Sequence, residues 1–126
     1  PKVYIADNSE IFIDEIVKEI NLCQEKGFQS ICLICKTEKN SIYLFNKIKH
    51  KLDIQLIKNG SVSDLQGVFI LPVYMSKGLE FDAVLICDAD SQNYHDEDDK
   101  NLLYVACTRA LHKLCLFCEN EVSPLI

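Results

Sequence analysis

Asn101 to Cys118 reads NLLYVACTRALHKLCLFC, and its periodicity changes partway along. Leu102, Leu103, Ala106 and Ala110 recur at helical spacing and predict a core-facing stripe, with Asp98 and Asp99 upstream as an N-cap candidate and as negative charge at the positive end of the helix. After Lys113 the pattern becomes a short apolar run, Leu114 to Cys118, of strand length and buried character. A helix that feeds a fully apolar strand is half of an α/β unit. Arg109 stands at the corner between them, at the end of an otherwise apolar amphipathic helix.

The same alternation extends outward. Val3 to Ala6 predicts a short strand, and Asp7 to Ser9 offers caps for a helix with Ile13, Ile16, Val17, Ile20 and Cys23 on one side, ended by Gly27. Ile31 to Cys35 is a continuous apolar run suited to a central strand. Thr37 then opens a second helix with Ile42, Phe45, Ile48 and Leu52 facing inward. Ile54 to Ile57, Gly67 to Val73 and Ala83 to Cys87 complete the strand candidates, and Asn59-Gly60 signals a turn. Strands alternating with helices give an α/β domain of three layers, with a mainly parallel sheet covered on both faces. In such sheets ligands collect outside the carboxyl ends of the strands, which puts the Lys36-Thr37 corner at a candidate site.

Composition narrows the function. A chain of 126 residues with 48% apolar side chains is one domain with one core. Nineteen acidic against thirteen basic residues give a net charge of −6, the wrong sign for holding nucleic acid by bulk electrostatics. The cluster Lys47, Lys49, His50 and Lys51 at the end of the second helix complements the helix dipole as a solvated face. No apolar run reaches the roughly eighteen residues needed to cross a membrane, and no basic-then-apolar leader opens the sequence, so a cytoplasmic protein is expected. Pro1 in place of Met points to a piece of a longer protein. No repeat or low-complexity stretch divides it.

Seven cysteines include two C-x-x-C pairs, Cys32/Cys35 and Cys115/Cys118. Both pairs lie inside strand candidates, where residues three apart point to opposite faces and cannot pinch one ion. They are expected to be small buried hydrophobes, with no metal site. The acidic residues Asp88, Asp90 and Asp96 to Asp99 are expected in solvated loop and helix-capping roles rather than as Mg²⁺ ligands.

The second informative stretch is Val73-Tyr74-Met75-Ser76-Lys77-Gly78-Leu79-Glu80-Phe81-Asp82. KGLEFD followed some twenty residues later by LLYVACTRA resembles the fifth and sixth motifs of superfamily-one helicases of the UvrD/Rep type, over residues 28 to 118 or so. The resemblance implies a RecA-like (P-loop NTPase-type) fold and a nucleotide-driven motor with ATP and Mg²⁺ held between two RecA-like domains. This chain would be the second of them, with single-stranded DNA as the track. No G-x-x-x-x-G-K-[ST] loop occurs in the sequence, so the chain is half a site and is expected to be inactive alone.

Phosphoryl transfer concentrates negative charge on the moving group, so a site needs cations aimed at its oxygens. A guanidinium is always charged and offers a planar fork, which lysine does not. The resemblance implies that Arg109 touches the terminal phosphate as an arginine finger. The plain structural reading is a helix-end arginine satisfied by a carboxylate or carbonyl. It also implies that Glu80 binds the nucleotide sugar and that Lys36 takes a place where the family commonly has an arginine, keeping the charge but losing the fork. Gly78 permits a turn or a close approach. Lys77 is either a phosphate contact or a solvated cation. Tyr104, inside the sixth motif, is expected to pack with a wet hydroxyl.

Pro72 and Tyr74 depart from the threonine and histidine that such DNA helicases carry at these places to hold the strand. PVYMSKGLEFD is similar instead to the HelD branch, whose members act on bacterial RNA polymerase. A non-catalytic docking domain that keeps the fold is the alternative outside the motor class.

Overall fold

The computed structural model describes residues 1–58 and 66–126; the Asn59-Gly60 turn signal lies outside them. Strand β1 (Lys2–Ala6) leads to helix α1 (Ser9–Glu25), β2 (Ser30–Cys35), α2 (Glu38–Ile48), β3 (Gln55–Leu56) and β4 (Gly67–Pro72). A 3-10 turn at Val73–Ser76 follows, then β5 (Phe81–Ile86), α3 (Glu97–Cys107) and β6 (Ala110–Glu119). The six strands form one parallel sheet in the order β1-β6-β5-β2-β4-β3. This is the mixed α/β, three-layer architecture that the alternation predicts.

Alternation along the central strands sends side chains to two cores. Ile31, Leu33 and Cys35 pack beneath α1 and α2, with Ile16, Ile20, Leu44 and Ile48 above them. Cys32 and Ile34 face the other way, toward Leu103 and Ala106 of α3 and toward Val73 and Phe81. Cys32 and Cys35 therefore sit on opposite faces, as residues three apart in a strand must. Burying each Ile or Leu contributes about 1.5–3 kcal/mol, and the strands are apolar throughout because both faces are covered.

Several boundaries differ from the sequence reading. Ala110 belongs to β6, not to the helical stripe: β6 runs ten residues, and its less buried first half carries His112 and Lys113 where periodicity shows no apolar run. Asp96, not Asp98 or Asp99, caps α3, its side chain accepting from Asp99 N while the Asp99 side chain accepts from Asp96 N. In α2 the inward face is Ser41, Leu44 and Ile48, leaving Ile42 exposed; Phe45 and Leu52 are only partly buried, and Leu52 lies beyond the helix. The expected strand at Ile54 to Ile57 pairs only over Gln55–Leu56. Tyr104 does not pack: it is 70% exposed on the outer face of α3. Asp88 and Asp99 are buried rather than solvated, although Asp99 does take the expected helix-capping role.

Inside the α1 face lies a buried ion pair that the sequence did not suggest. Glu19, 2% exposed, meets Lys113 from β6 and also accepts hydrogen bonds from the Tyr4 hydroxyl (3.0 Å) and the Cys115 thiol (3.5 Å). Burial pushes the Glu19 carboxyl up, but these three donors outweigh it and hold it below its ordinary value.

Candidate functional site

Arg109 follows the C-cap of α3, Thr108, and precedes β6. Its Nε donates to Val105 O (3.2 Å), Nη2 to Thr108 Oγ1 (3.1 Å) and Nη1, at the limit of reach, to Ser76 O (3.5 Å). The half-buried guanidinium thus lies against the carbonyl end of α3, where the dipole favours a cation. Among the described residues no carboxylate is within ion-pair distance of it. Of its five N–H groups, three are used and one remains on each terminal nitrogen. That pair can present an end-on fork to two oxygens of a phosphate or carboxylate.

The turn from Ser76 to Phe81 wraps the same corner. Leu79 N donates to Ser76 O (3.0 Å) and Phe81 N to Arg109 O (2.9 Å). Gly78 has φ +79°, and among the described residues nothing lies within 4 Å of where a Cβ would stand, so within this domain the glycine serves the left-handed backbone. Lys77 and Glu80 are exposed and make no hydrogen bond or ion pair among the described residues. Asp82, the last residue of KGLEFD, is structural: its Oδ2 accepts from Gln29 N (2.8 Å) and Ser30 N (3.3 Å), stitching β5 to the start of β2. These amide bonds, that from Gln29 foremost, hold its carboxyl below the ordinary value.

Lys36 does not join this group. Its ammonium sits 2.6 Å from Asp99 Oδ1 and over the Tyr94 ring, at the far end of α3 from Arg109, roughly 15 Å along the helix axis. The Lys36 contact, first among several, holds Asp99 down at about 2. His95, Asp96 and Asp99 form a cluster of potential metal donors, but the Lys36 ammonium already neutralises the buried member.

The carboxyl ends of β2, β5 and β6 do enclose a cavity of about 390 Å³, as the switch-point rule leads one to expect. Among the described residues its lining includes Asp88, Asp90, Glu119 and Glu121 against one ammonium, that of Lys47, so it repels a triphosphate. Asp88 Oδ2 accepts from Lys36 N (2.8 Å) and Asn40 Nδ2 (2.8 Å), and Asn40 reaches on to Asn93 (2.9 Å). Asp88 Oδ1 and the Tyr94 hydroxyl, close enough to influence each other, are both buried without a hydrogen bond of good geometry. Burial pushes the Asp88 carboxyl up to about 6. The phosphate-competent fork and the cavity are therefore different places, at opposite ends of the sheet.

Residues 67–117, which contain both the Ser76–Phe81 turn and Arg109, match the model of the UvrD-like helicase C-terminal domain. The C-terminal domain of a possible DNA helicase from Lactobacillus plantarum WCFS1 superimposes with a TM-score of 0.90 at 31% identity, covering 99% of this chain and 77% of that one. The chain belongs to the UvrD-like helicase C-terminal domain family. Escherichia coli DEAD-box protein SrmB, solved bound to the regulator RraA, shares the fold at TM-score 0.65 and 12% identity, covering 93% of this chain and 75% of that one. So does an arterivirus nonstructural protein 10 helicase solved with DNA, at TM-score 0.56 and 15% identity, covering 98% and 30% respectively. No curated protein sequence matches the chain.

Within this UvrD-like domain, the contacts that shape the Arg109 corner escaped the sequence reading. The Ser76 carbonyl and Thr108 hydroxyl shape the Arg109 corner, and no local pattern signals either contact. The Asp96/Asp99 capping box has an aspartate at N3 in place of the usual glutamate or glutamine, so its sequence signature is incomplete. In all described segments no helix is long and apolar enough to cross a membrane.

Proposed function

We propose that this UvrD-like domain is the second half of a composite ATP site in an ATP-driven DNA helicase or translocase, with Arg109 as its arginine finger. The observation that carries the reading is the end-on fork of Arg109, charged, unmatched by any carboxylate among the described residues, and held at a surface corner. Glu80, exposed and unpaired two residues after the left-handed Gly78, suits a ribose hydroxyl, and Lys77 beside it adds positive charge. ATP supplies the phosphoryl group whose transfer drives the motor. Its Mg²⁺ and phosphate loop would come from the N-terminal RecA-like domain, since this sequence carries no phosphate loop of its own. What the chain contributes is a cation placed to meet charge that grows in the transition state.

The test is steady-state ATPase activity of the full-length protein. Arg109→Ala should lower turnover by about 10³ or more, and Arg109→Lys should restore little. Near-normal turnover in a folded Arg109→Ala protein would return Arg109 to a helix-end structural role.

A HelD-like motor acting on RNA polymerase is the second reading, favoured by one observation. The Tyr74 hydroxyl, where strand-gripping relatives carry histidine, is taken by Glu38 (3.2 Å), on a chain of net charge −6. Titrating the full-length protein against single-stranded DNA and against bacterial RNA polymerase at near-physiological salt separates the two. Tight DNA binding with no polymerase affinity eliminates the HelD-like reading.

A further inference from the structure

The finger reading leaves open what aims the guanidinium, and the bonds around Arg109 answer it. Thr108 has a single hydroxyl proton, and it is spent on Val105 O at 2.8 Å. The hydroxyl oxygen can therefore only accept toward Arg109, which it does from Nη2 at 3.1 Å. Val105 O receives both the Thr108 hydroxyl and Arg109 Nε, so one edge of the guanidinium is clamped against a carbonyl and a hydroxyl that are themselves tied together. A planar group fixed along one edge has its end-on fork fixed in direction as well. Without the hydroxyl, Nε and the long contact to Ser76 O remain, and these permit the plane to swing about the Nε bond.

We infer that Thr108 is the positioning residue of the Arg109 finger, its side-chain hydroxyl acting as a one-way acceptor that orients the guanidinium fork outward. The inference rests on the finger reading above. Thr108 is exposed, with no buried packing of its own to lose, so its role separates cleanly from folding. Thr108→Val preserves shape and removes the hydroxyl, whereas Thr108→Ser preserves the hydroxyl.

In the full-length ATPase, Thr108→Val should lower kcat by about tenfold to a hundredfold, the scale on which small misplacements act, with the KM for ATP changed far less. Thr108→Ser should retain activity within about twofold of the parent, and neither should shift Tm by more than about 2 °C, as for exposed substitutions. In an Arg109→Lys background Thr108→Val should have no further effect, because the group that it orients is gone. If Arg109→Ala is inactive while Thr108→Val keeps parental kcat, the positioning role is refuted and the finger stands. If Thr108→Val lowers turnover equally in both backgrounds, or if Tm falls in step with activity, Thr108 is structural and the inference fails. If Arg109→Ala is itself active, the underlying reading fails first.

Discussion

Asp88 offers the most direct test of the electrostatics in this domain. The carboxyl is buried at the end of β5, and burial, the largest influence, raises it to about 6 from an ordinary 3.8 in spite of donors from Lys36 N and Asn40. Two pKa units correspond to about 3 kcal/mol of differential interaction. The folded state therefore holds this proton more tightly than the unfolded chain does. Its contribution to stability is fully present below pH 3.8 and is lost as pH rises through 6. Asp88→Asn keeps an acceptor for Lys36 N and Asn40 and removes the ionisable group, while its amide can donate to the Tyr94 hydroxyl. Relative to the parent chain, the variant should gain about 3 kcal/mol of stability between pH 4 and pH 8, or about 10 °C in relative Tm for a domain of this size. Thermal melts of both proteins across that range, followed by circular dichroism, read the difference. A stability difference independent of pH, or one that moves against the variant as pH rises, would refute the assignment of a raised, desolvated carboxyl.

Other perturbations probe other links. Lys113→Met leaves Glu19 buried without its cation and should cost about 3–5 kcal/mol in urea unfolding, whereas Lys113→Met with Glu19→Gln should recover most of that loss. A double variant as unstable as the single would mean that the charges matter less than the packing of the long side chains. Glu80→Ala, at an exposed corner, should weaken nucleotide affinity in the full-length protein while Tm stays within about 1 °C, measured by fluorescent-nucleotide titration and melting together. A large fall in Tm with unaltered nucleotide affinity would reverse the assignment.

The layout of the candidate site was legible in the sequence to an uneven degree. Arg109, Gly78 and Glu80 come together as the motif spacing implied, because β5 and β6 are neighbours and their amino ends meet at one corner. Lys36 was drawn into the same site only by its place in a motif order. The structure sends it to Asp99, since the strands are parallel and the carboxyl end of β2 lies at the opposite end of the sheet from the amino end of β6. Tyr104 shows the complementary failure: helical phase alone does not say whether the flank of a stripe is covered, and here nothing among the described residues covers it.

The sequence by itself determined the element types and the fold class. Continuous apolar runs of strand length, capped helices at 3.6-residue spacing and Gly27 and Gly78 at turns are local properties, set by dihedral preferences and by which face must leave water. Only the tertiary structure decided which strand lies beside which, placing β6 between β1 and β5 at the opposite end of the chain. It likewise decided that Asp88 is buried against an amide 52 residues away and that Cys115 meets Glu19 across 96 residues. A charged or polar side chain carries no local mark of whether a partner will reach it. Its energy is fixed by the dielectric and the donors that long-range packing assembles around it, and these exist only once the chain has closed on itself.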